Sequence, residues 1–135
     1  MPLELDNGGL ASRDFIFVDD IVEGLVACAL RGEAGDVYNL ASGQETTIAA
    51  LAELINELAG GRSTITTTPP RPWDRAGRRV GSTRKSQAAL GYEARTELAD
   101  GLRRTIEWTE ANRALIDRAM AKHQDRMEIA AAGRV

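Results

Sequence analysis

Short apolar runs alternate with helical patterns along most of the chain. The aromatic and β-branched residues at 13–18 predict a strand in a packed sheet. The following residues, Ile21–Leu30, are apolar almost all round and predict a helix that is buried on most of its faces. Asp20 fits the N-cap of that helix, and Glu23 three residues later completes a capping box. Residues 36–40 predict a second short strand.

The rest of the chain continues the alternation, with glycines and prolines marking its turns. Residues 1–12 contain turn residues and little periodicity, so no element is predicted there. The later elements are, in chain order, a helix capped by Thr46 or Thr47 and stopped at Gly60–Gly61, a strand at 64–68, an extended Pro-rich segment at 69–72, a short strand around Arg79–Val80, a helix from Ser82 or Thr83 to Leu90, a helix capped by Thr96, and a weaker helix from Asn112.

This order of strands and helices predicts an α/β fold. A sheet of two or three strands is thin for independent stability, and the helix at 21–30 is too apolar to face water. We therefore expect additional sheet to complete the core. Because these residues do not supply that sheet, an apolar face should be exposed where it would pack.

The composition is that of an ordinary globular domain, and it excludes several classes of protein. The chain has 135 residues, of which 43% are hydrophobic, so a single domain with a real core is expected. Its one cysteine, Cys28, excludes an intramolecular disulfide, and its place in an apolar helix predicts a small core residue rather than a nucleophile. The longest apolar run, Gly24–Leu30, is far too short to span a membrane, and the acidic N-terminal residues are unlike a signal peptide. We expect a cytoplasmic protein without a membrane partner.

The net charge of -3 conceals a segregation of charge along the chain. Residues 1–60 carry 11 acidic and two basic side chains, whereas residues 61–85 carry seven basic side chains and one acidic side chain. A cationic segment in an acidic chain favours an anionic small-molecule ligand over nucleic acid, whose binders are typically basic overall and interleave aromatic residues. An arginine-rich loop that is merely solvated remains an alternative.

Two sites along the sequence offer candidate ligand-binding side chains. Arg13 lies at the start of the predicted strand, just before its apolar residues. Its guanidinium would either bind a phosphate bidentately or form a strand-end salt bridge with Asp14. Arg71 and Asp74 lie in the sequence Pro-Pro-Arg-Pro-Trp-Asp, whose prolines stiffen the loop and lower the entropic cost of placing a side chain at a ligand. A Pro-rich turn with Trp73 as its packing anchor is the alternative there.

Five segments carry a recognisable combination of motifs. They are RDFIFVDDIV (13–22), VYNLASG (37–43), RPWD (71–74), STRKSQAALGY (82–92) and LADGLRRTIEW (98–108). In this order they resemble the extended short-chain dehydrogenase/reductase family, in particular its NAD-dependent, UDP-glucose 4-epimerase-like nucleotide-sugar epimerases and dehydratases. Residues 1–112 would then form the C-terminal, substrate-binding portion of such an enzyme, and residues 113–135 a charged, partly helical tail.

The resemblance implies a fold and a role for individual residues. It implies the C-terminal substrate-binding lobe of a partial Rossmann-type α/β fold, with Val37–Leu40 as a late strand of the NAD-binding sheet. It also implies that Arg13 and Arg71 hold the diphosphate of a nucleoside diphosphate-sugar and that Asp74 lies beside the nucleotide. The cationic segment agrees with an anionic substrate of this kind.

Two motifs of the family are absent from the sequence. No Gly-x-Gly-x-x-Gly turn occurs, and neither Lys85 nor Lys122 follows a tyrosine by four residues, as the family's catalytic pair requires. NAD is thus the cofactor of the complete family enzyme, and this chain alone is expected to hold no cofactor and to transfer no hydride. His123, the one histidine, lies in the charged tail and predicts no metal site.

Two hypotheses for the function remain open. In the first, the chain is the nucleotide-sugar-binding portion of an NAD-dependent sugar epimerase or dehydratase. It would be a truncated product, a fragment, or a subunit that needs a separate NAD-binding portion. In the second, it is a non-catalytic interaction or regulatory module that associates, with a partner or with itself, through the apolar face left by the missing sheet.

Overall fold

The structure, a computed structural model, describes residues 2–72 and 77–123. The chain divides into two compact units, residues 1–102 and 103–135. In the described ranges the strands are β1 (Leu3–Asp6), β2 (Ser12–Asp14), β3 (Glu45–Thr47), β4 (Ile65–Thr68) and β5 (Arg78–Arg79), and the helices are α1 (Val18–Arg31), α2 (Ile48–Leu58), α3 (Arg84–Leu90), α4 (Leu98–Ala111) and α5 (Arg113–Lys122). The fold is α/β, as predicted. None of the helices in these ranges is long and apolar enough to cross a membrane.

The strands of the first unit form two small sheets. β1 pairs with β4 in parallel, and β2 lies between β3, which is antiparallel to it, and β5, which is parallel. β4 and β5 lie where the sequence predicts strands, but β3 was not predicted, and neither was β1. Its four residues alternate two leucines with two acids, and its partner β4 lies far along the chain. Asn7 and Gly8, with φ angles of 50° and 63°, turn the chain away from the end of β1.

The strand before α1 is shorter than predicted, and the helix starts earlier. β2 ends at Asp14 and α1 begins at Val18, so the predicted N-cap at Asp20 is wrong. Asp20 lies in the first turn of α1 and is buried, with 4% of its surface exposed. Its carboxylate accepts hydrogen bonds from the backbone N–H groups of Arg95 (3.2 Å) and Thr96 (3.0 Å). Asp20 therefore ties α1 to the segment that leads into α4.

Residues 36–40 do not form the predicted strand. A strand needs a hydrogen-bonded neighbour, and no strand of the described residues runs beside this segment. Side chains hold it instead. Asn39 Nδ2 donates to the carbonyl of Ser82 (3.2 Å), and the Asp36 carboxylate pairs with Lys85 on α3. The apolar pattern of the segment is thus present without the backbone partner that would make it a strand.

The remaining helices begin and end close to their predicted signals. Thr47 caps α2, because its Oγ1 accepts a hydrogen bond from the N–H of Ala50 (3.1 Å). Gly91 ends α3 in the left-handed conformation (φ 61°) that glycine adopts without strain. α4 begins at Leu98, so Thr96 lies too early in the chain to cap it, and that predicted cap is wrong. α5 confirms the weaker helix predicted after α4.

The core of the first unit is small and lies under α1. Ala27, Leu90 and Tyr92 are buried, and the partly buried Ile16, Cys28, Tyr38 and Leu40 pack against them. Gly24 brings α1 close to this core, since a Cβ at that position would lie 2.8 Å from Leu40 Cδ2 and 2.9 Å from Tyr92 Cε2. Cys28 is therefore, as predicted, a small side chain at the edge of the core.

The opposite face of α1 is apolar and exposed. It carries Val18 (61% exposed), Val22 (52%), Leu25 (57%), Val26 (53%) and Leu30 (75%), which together are called the α1 stripe below. These positions recur at helical spacing and therefore share one face. The prediction that this helix is buried on most faces is wrong in this structure, because burial is confined to the face of Asp20, Gly24 and Ala27. An exposed apolar face is what the sequence predicts where further sheet would pack.

Tyr92 combines burial with an unpaired hydroxyl. The residue is 4% exposed, and its Oη has no hydrogen-bond partner among the described residues. Burial, followed by the negative charges of Asp20, Asp14 and Glu23, raises the pKa of the Tyr92 hydroxyl above its ordinary value of 10.0. The folded state therefore favours the neutral phenol.

We expect Tyr92→Phe to raise the free energy of unfolding by about 1 kcal/mol at neutral pH, because ring packing is kept and a buried unpaired polar group is removed. Since the folded-state pKa lies above the unfolded one, the wild type should lose stability as the pH rises past 10.0, and the variant should lose less. Urea denaturation at neutral pH and above pH 10.0 measures both effects. Tyr38→Phe is the control, because the Tyr38 hydroxyl accepts a hydrogen bond from the N–H of Glu33 (3.1 Å) and its loss should not stabilise. A Tyr92→Phe variant that is less stable than the wild type at neutral pH would contradict the prediction.

Candidate anion-binding site

β2 is the central strand of its sheet and divides its side chains between two faces. Successive residues of a strand point to opposite faces, so Ser12 and Asp14 share one face and Arg13 lies on the other. The pairing sets Arg13 opposite Thr46 on β3 and beside Arg79 on β5. The sheet therefore has one face with Ser12 and Asp14 and another with two arginines.

On the face of Ser12, the charges are neutralised within the chain. The Ser12 hydroxyl donates to Glu45 Oε1 (2.5 Å), and Arg78 Nε donates to both carboxylate oxygens of Glu45 at 2.9 Å. The Arg78 guanidinium, followed by the Ser12 hydroxyl, lowers the pKa of the Glu45 carboxyl, and Glu45 in turn raises the pKa of Arg78. Arg78 is thus occupied by a structural ion pair.

Asp14 anchors a loop on the same face. One of its carboxylate oxygens accepts hydrogen bonds from the N–H (2.8 Å) and the hydroxyl (2.7 Å) of Ser42, and the other accepts from the N–H of Gly43 (2.8 Å). No ion pair of the described residues joins Asp14 to Arg13, so the predicted alternative of a strand-end salt bridge is wrong. Sequence reasoning missed this anchoring role, because the bonded loop is 28 residues away along the chain.

On the other face, the two arginines lack an acidic partner. The half-buried Arg13 donates from Nη1 to the carbonyl of Ser12 (2.7 Å), which fixes its guanidinium near the strand. Arg79 is exposed. Over residues 2–72 and 77–123, no carboxylate forms a salt bridge with either of them. This face therefore presents positive charge that the described part of the chain does not neutralise.

Arg71 lies at the end of the sheet where β2 and β5 begin. It lines a cavity of about 120 Å³ together with Asp6, Asn7, Leu10, Ala11, Pro70 and Gly77. Ala11 and Gly77 directly precede β2 and β5, and the N–H of Ser12 donates to the carbonyl of Gly77 (2.8 Å). The Arg71 guanidinium forms an ion pair with the Asp6 carboxylate, and both side chains are substantially exposed. Such an exposed pair contributes about 0–1 kcal/mol, so a phosphate can displace the carboxylate at little cost.

Asp74, the third residue predicted to bind substrate, lies outside the described residues, as does Trp73. Of the three residues predicted to bind substrate, the structure therefore describes Arg13 and Arg71. The sequence prediction did not include Arg79. An adjacent pair of arginines in a predicted strand is the signal that could have identified it, since alternation sends one of the two to each face.

Lys85 and Tyr38 lie close together, but the lysine pairs with the Asp36 carboxylate and not with the tyrosine hydroxyl. Lys85 Nζ lies 4.9 Å from the centroid of the Tyr38 ring, pairs with the Asp36 carboxylate and has its pKa raised by that hydrogen bond. The Tyr38 hydroxyl accepts a hydrogen bond from the N–H of Glu33. A lysine held in its charged form over the ring face tethers α3 to residues 36–38, and it is not placed at the hydroxyl.

Comparisons with known proteins bear on the nature of this site. No protein-family model matches the chain. The dTDP-glucose 4,6-dehydratase of Streptomyces griseus is 36% identical over 107 residues, which are 78% of this chain and 32% of that protein. The UDP-glucose 4-epimerase of Mycolicibacterium smegmatis is 31% identical over 100 residues, which are 74% of this chain and 32% of that protein. Among solved structures, the Bordetella bronchiseptica enzyme WbmF in complex with NAD+ and UDP matches 96% of this chain and 38% of its own, with a TM-score of 0.82 and 50% identity.

The comparisons agree with one another on the kind of protein and on the extent of the match. The chain spans about a third of the length of the curated relatives it matches. The resemblance carried by the five sequence segments is confirmed, because both named relatives are nucleotide-sugar enzymes of that family. The chain therefore belongs to the extended short-chain dehydrogenase/reductase family and corresponds to a part of its nucleotide-sugar epimerases and dehydratases.

Proposed function

We propose that this chain is the nucleotide-sugar-binding portion of an NAD-dependent epimerase or dehydratase and that Arg13 and Arg71 hold the diphosphate. The observation that carries the proposal is the arginine face of β2, where Arg13 is fixed on a strand and has no acidic partner among the described residues. The structure of WbmF, a neighbour over 96% of this chain, is a complex with UDP, a nucleoside diphosphate.

The chemistry of the two arginines suits this ligand. A guanidinium presents a planar fork of N–H donors that binds two phosphate oxygens at once. Arg13 is half-buried on a paired strand, so its binding geometry is set before the ligand arrives. Arg71 exchanges its exposed ion pair with the Asp6 carboxylate for a pair with the more highly charged phosphate. Asp74 completes the proposed set beside the nucleotide.

The described residues do not fit a dinucleotide cofactor. A family cofactor site needs a glycine-rich turn whose helix N-terminus faces the pyrophosphate. The helix that follows β2 here begins after Phe17 and carries Asp19 and Asp20 in its first turn, which would repel phosphate. In the proposed enzyme NAD is held by another portion of the protein, and this chain supplies the substrate grip. A cytoplasmic location stays a prediction.

The α1 stripe favours a second candidate function, that of an interaction module. Five large apolar side chains, each more than half exposed, follow one face of a single helix. A surface of this kind marks an interface. We propose that its occupant is a protein portion with a complementary apolar face, equivalent to the roughly two thirds of the relatives' length that this chain does not span. This candidate is compatible with the first, since the same partner would bring the NAD site.

For the diphosphate grip, we expect Arg13→Ala and Arg71→Ala each to weaken UDP binding by about 1.5–3 kcal/mol, the range of a hydrogen bond to a charged group. The effect of Arg71→Ala should lie at the lower end, because Arg71 gives up Asp6 when it binds. Isothermal titration calorimetry of the full chain with UDP measures both. Arg62→Ala, an exposed arginine in the loop after α2, is the matched control and should leave the affinity unchanged. UDP affinity that is the same in all four proteins would contradict the proposal.

For the interface, we expect the chain, when that partner portion is absent, to cover the α1 stripe by self-association. Leu25→Glu/Leu30→Glu should return it to the monomer mass of 14.6 kDa, because a buried unpaired carboxylate is costly. Light scattering on a sizing column measures the mass. Leu115→Glu is the control, since Leu115 on α5 is also exposed (51%) but lies outside the stripe. A monomeric wild type at high concentration, or equal dissociation by Leu115→Glu, would count against the stripe as an interface.

A further inference from the structure

β5 brings a second arginine to the face of the sheet that carries Arg13. The two strands are parallel, and their register pairs Ser12 with Arg78 and Arg13 with Arg79. In a parallel pair, partner residues point to the same face, and neighbouring strands lie about 4.8 Å apart. Arg13 and Arg79 are therefore side-by-side cations that extend from one surface.

Arg78 and Arg79 differ in what neutralises them. Arg78 faces Ser12 and forms a bidentate pair with Glu45. Arg79 faces the other way, is exposed, and has no salt bridge with any residue of the described ranges. The same dipeptide thus contains one arginine used for structure and one available to a ligand.

Two like charges on adjacent strands are unfavourable unless a counter-charge lies between them. Directly opposed like charges destabilise a sheet pair, and the described residues offer Arg13 and Arg79 no acid to offset this. The acids nearest in the sheet, Asp14 and Glu45, lie on the other face and are fully engaged there. An anionic ligand with two linked charged groups supplies the missing counter-charge to both guanidinium groups.

We propose that Arg79 is a diphosphate-binding residue that acts with Arg13, so that β2 and β5 together present a two-arginine platform to the nucleoside diphosphate. This inference rests on the proposed function and deepens it. Linked phosphates share one bridging oxygen, so two guanidinium groups one strand spacing apart can each bind the terminal oxygens of a different phosphate. Arg71 then approaches from the end of the sheet, where its cavity opens beside Ala11 and Gly77.

The test compares neighbouring arginines of opposite facing. UDP is titrated by calorimetry into the full chain and into Arg79→Ala, Arg78→Ala and Arg79→Lys. We expect Arg79→Ala to weaken UDP binding about tenfold, the scale of one charge-assisted hydrogen bond at an exposed position. Arg78→Ala should stay within about twofold of the wild type, because its guanidinium faces away from the ligand. Arg79→Lys should recover part of the loss, since it keeps the charge but not the fork.

The outcomes separate this inference from the function on which it rests. If Arg13→Ala weakens UDP binding while Arg79→Ala behaves like Arg78→Ala, the platform is wrong and the diphosphate grip stands. If the wild type binds no UDP, both are wrong. Thermal unfolding of the same variants shows whether a loss of affinity comes from a loss of fold. Arg79→Gln keeps most of the side-chain length without the charge. Its UDP affinity should be as low as that of Arg79→Ala, because the charge itself is needed.

Discussion

The register of β2 against its two neighbours decides which charges of this chain are neutralised and which remain available. A shift of one residue between β2 and β3 would turn Arg13 to the face of Glu45. A shift of one residue between β2 and β5 would set Arg78 or Val80 beside Arg13 in place of Arg79. In the observed register Glu45 accepts hydrogen bonds from Ser12 and Arg78, while Arg13 and Arg79 share the opposite face. The arginine face is thus a consequence of backbone pairing. Glu45, which is bonded to Ser12 and Arg78, does not neutralise the arginines on the other face.

The helix that follows β2 gives the chain its second defining property. α1 packs small residues, Gly24 and Ala27, against Tyr92 and Leu40, and its larger apolar residues point outward. A self-contained domain would normally place large apolar side chains inward and small ones anywhere. This inverted arrangement is compatible with the proposed contact between the stripe and another portion of the protein, since the chain spans about a third of its relatives' length. Arg13 and the α1 stripe are carried by consecutive elements of the chain, β2 and α1.

Local signals in the sequence predicted most of the helices and the later strands, because caps and breakers act within a few residues. Thr47 and Gly91 lie where a cap and a stop were expected. Pairing between distant segments could not be predicted in this way. Such pairing determines where β1 forms, why residues 36–40 stay unpaired and which residue lies beside Arg13. The family resemblance implies Arg13 and Arg71 as candidates by motif, whereas the proposal of Arg79 depends on the register, which only the fold provides.

Titration of the isotope-labelled chain with UDP, followed through the Nε–Hε resonances of its arginines, tests the binding surface most directly. We expect the resonances of Arg13, Arg71 and Arg79 to shift together and saturate at one UDP per chain, because all three guanidinium groups meet the same diphosphate. The resonance of Arg78 should stay in place, because Glu45 holds it on the other face. Resonances of Arg13 and Arg71 that do not respond to UDP, or an Arg78 resonance that moves as far as theirs, would contradict the diphosphate site.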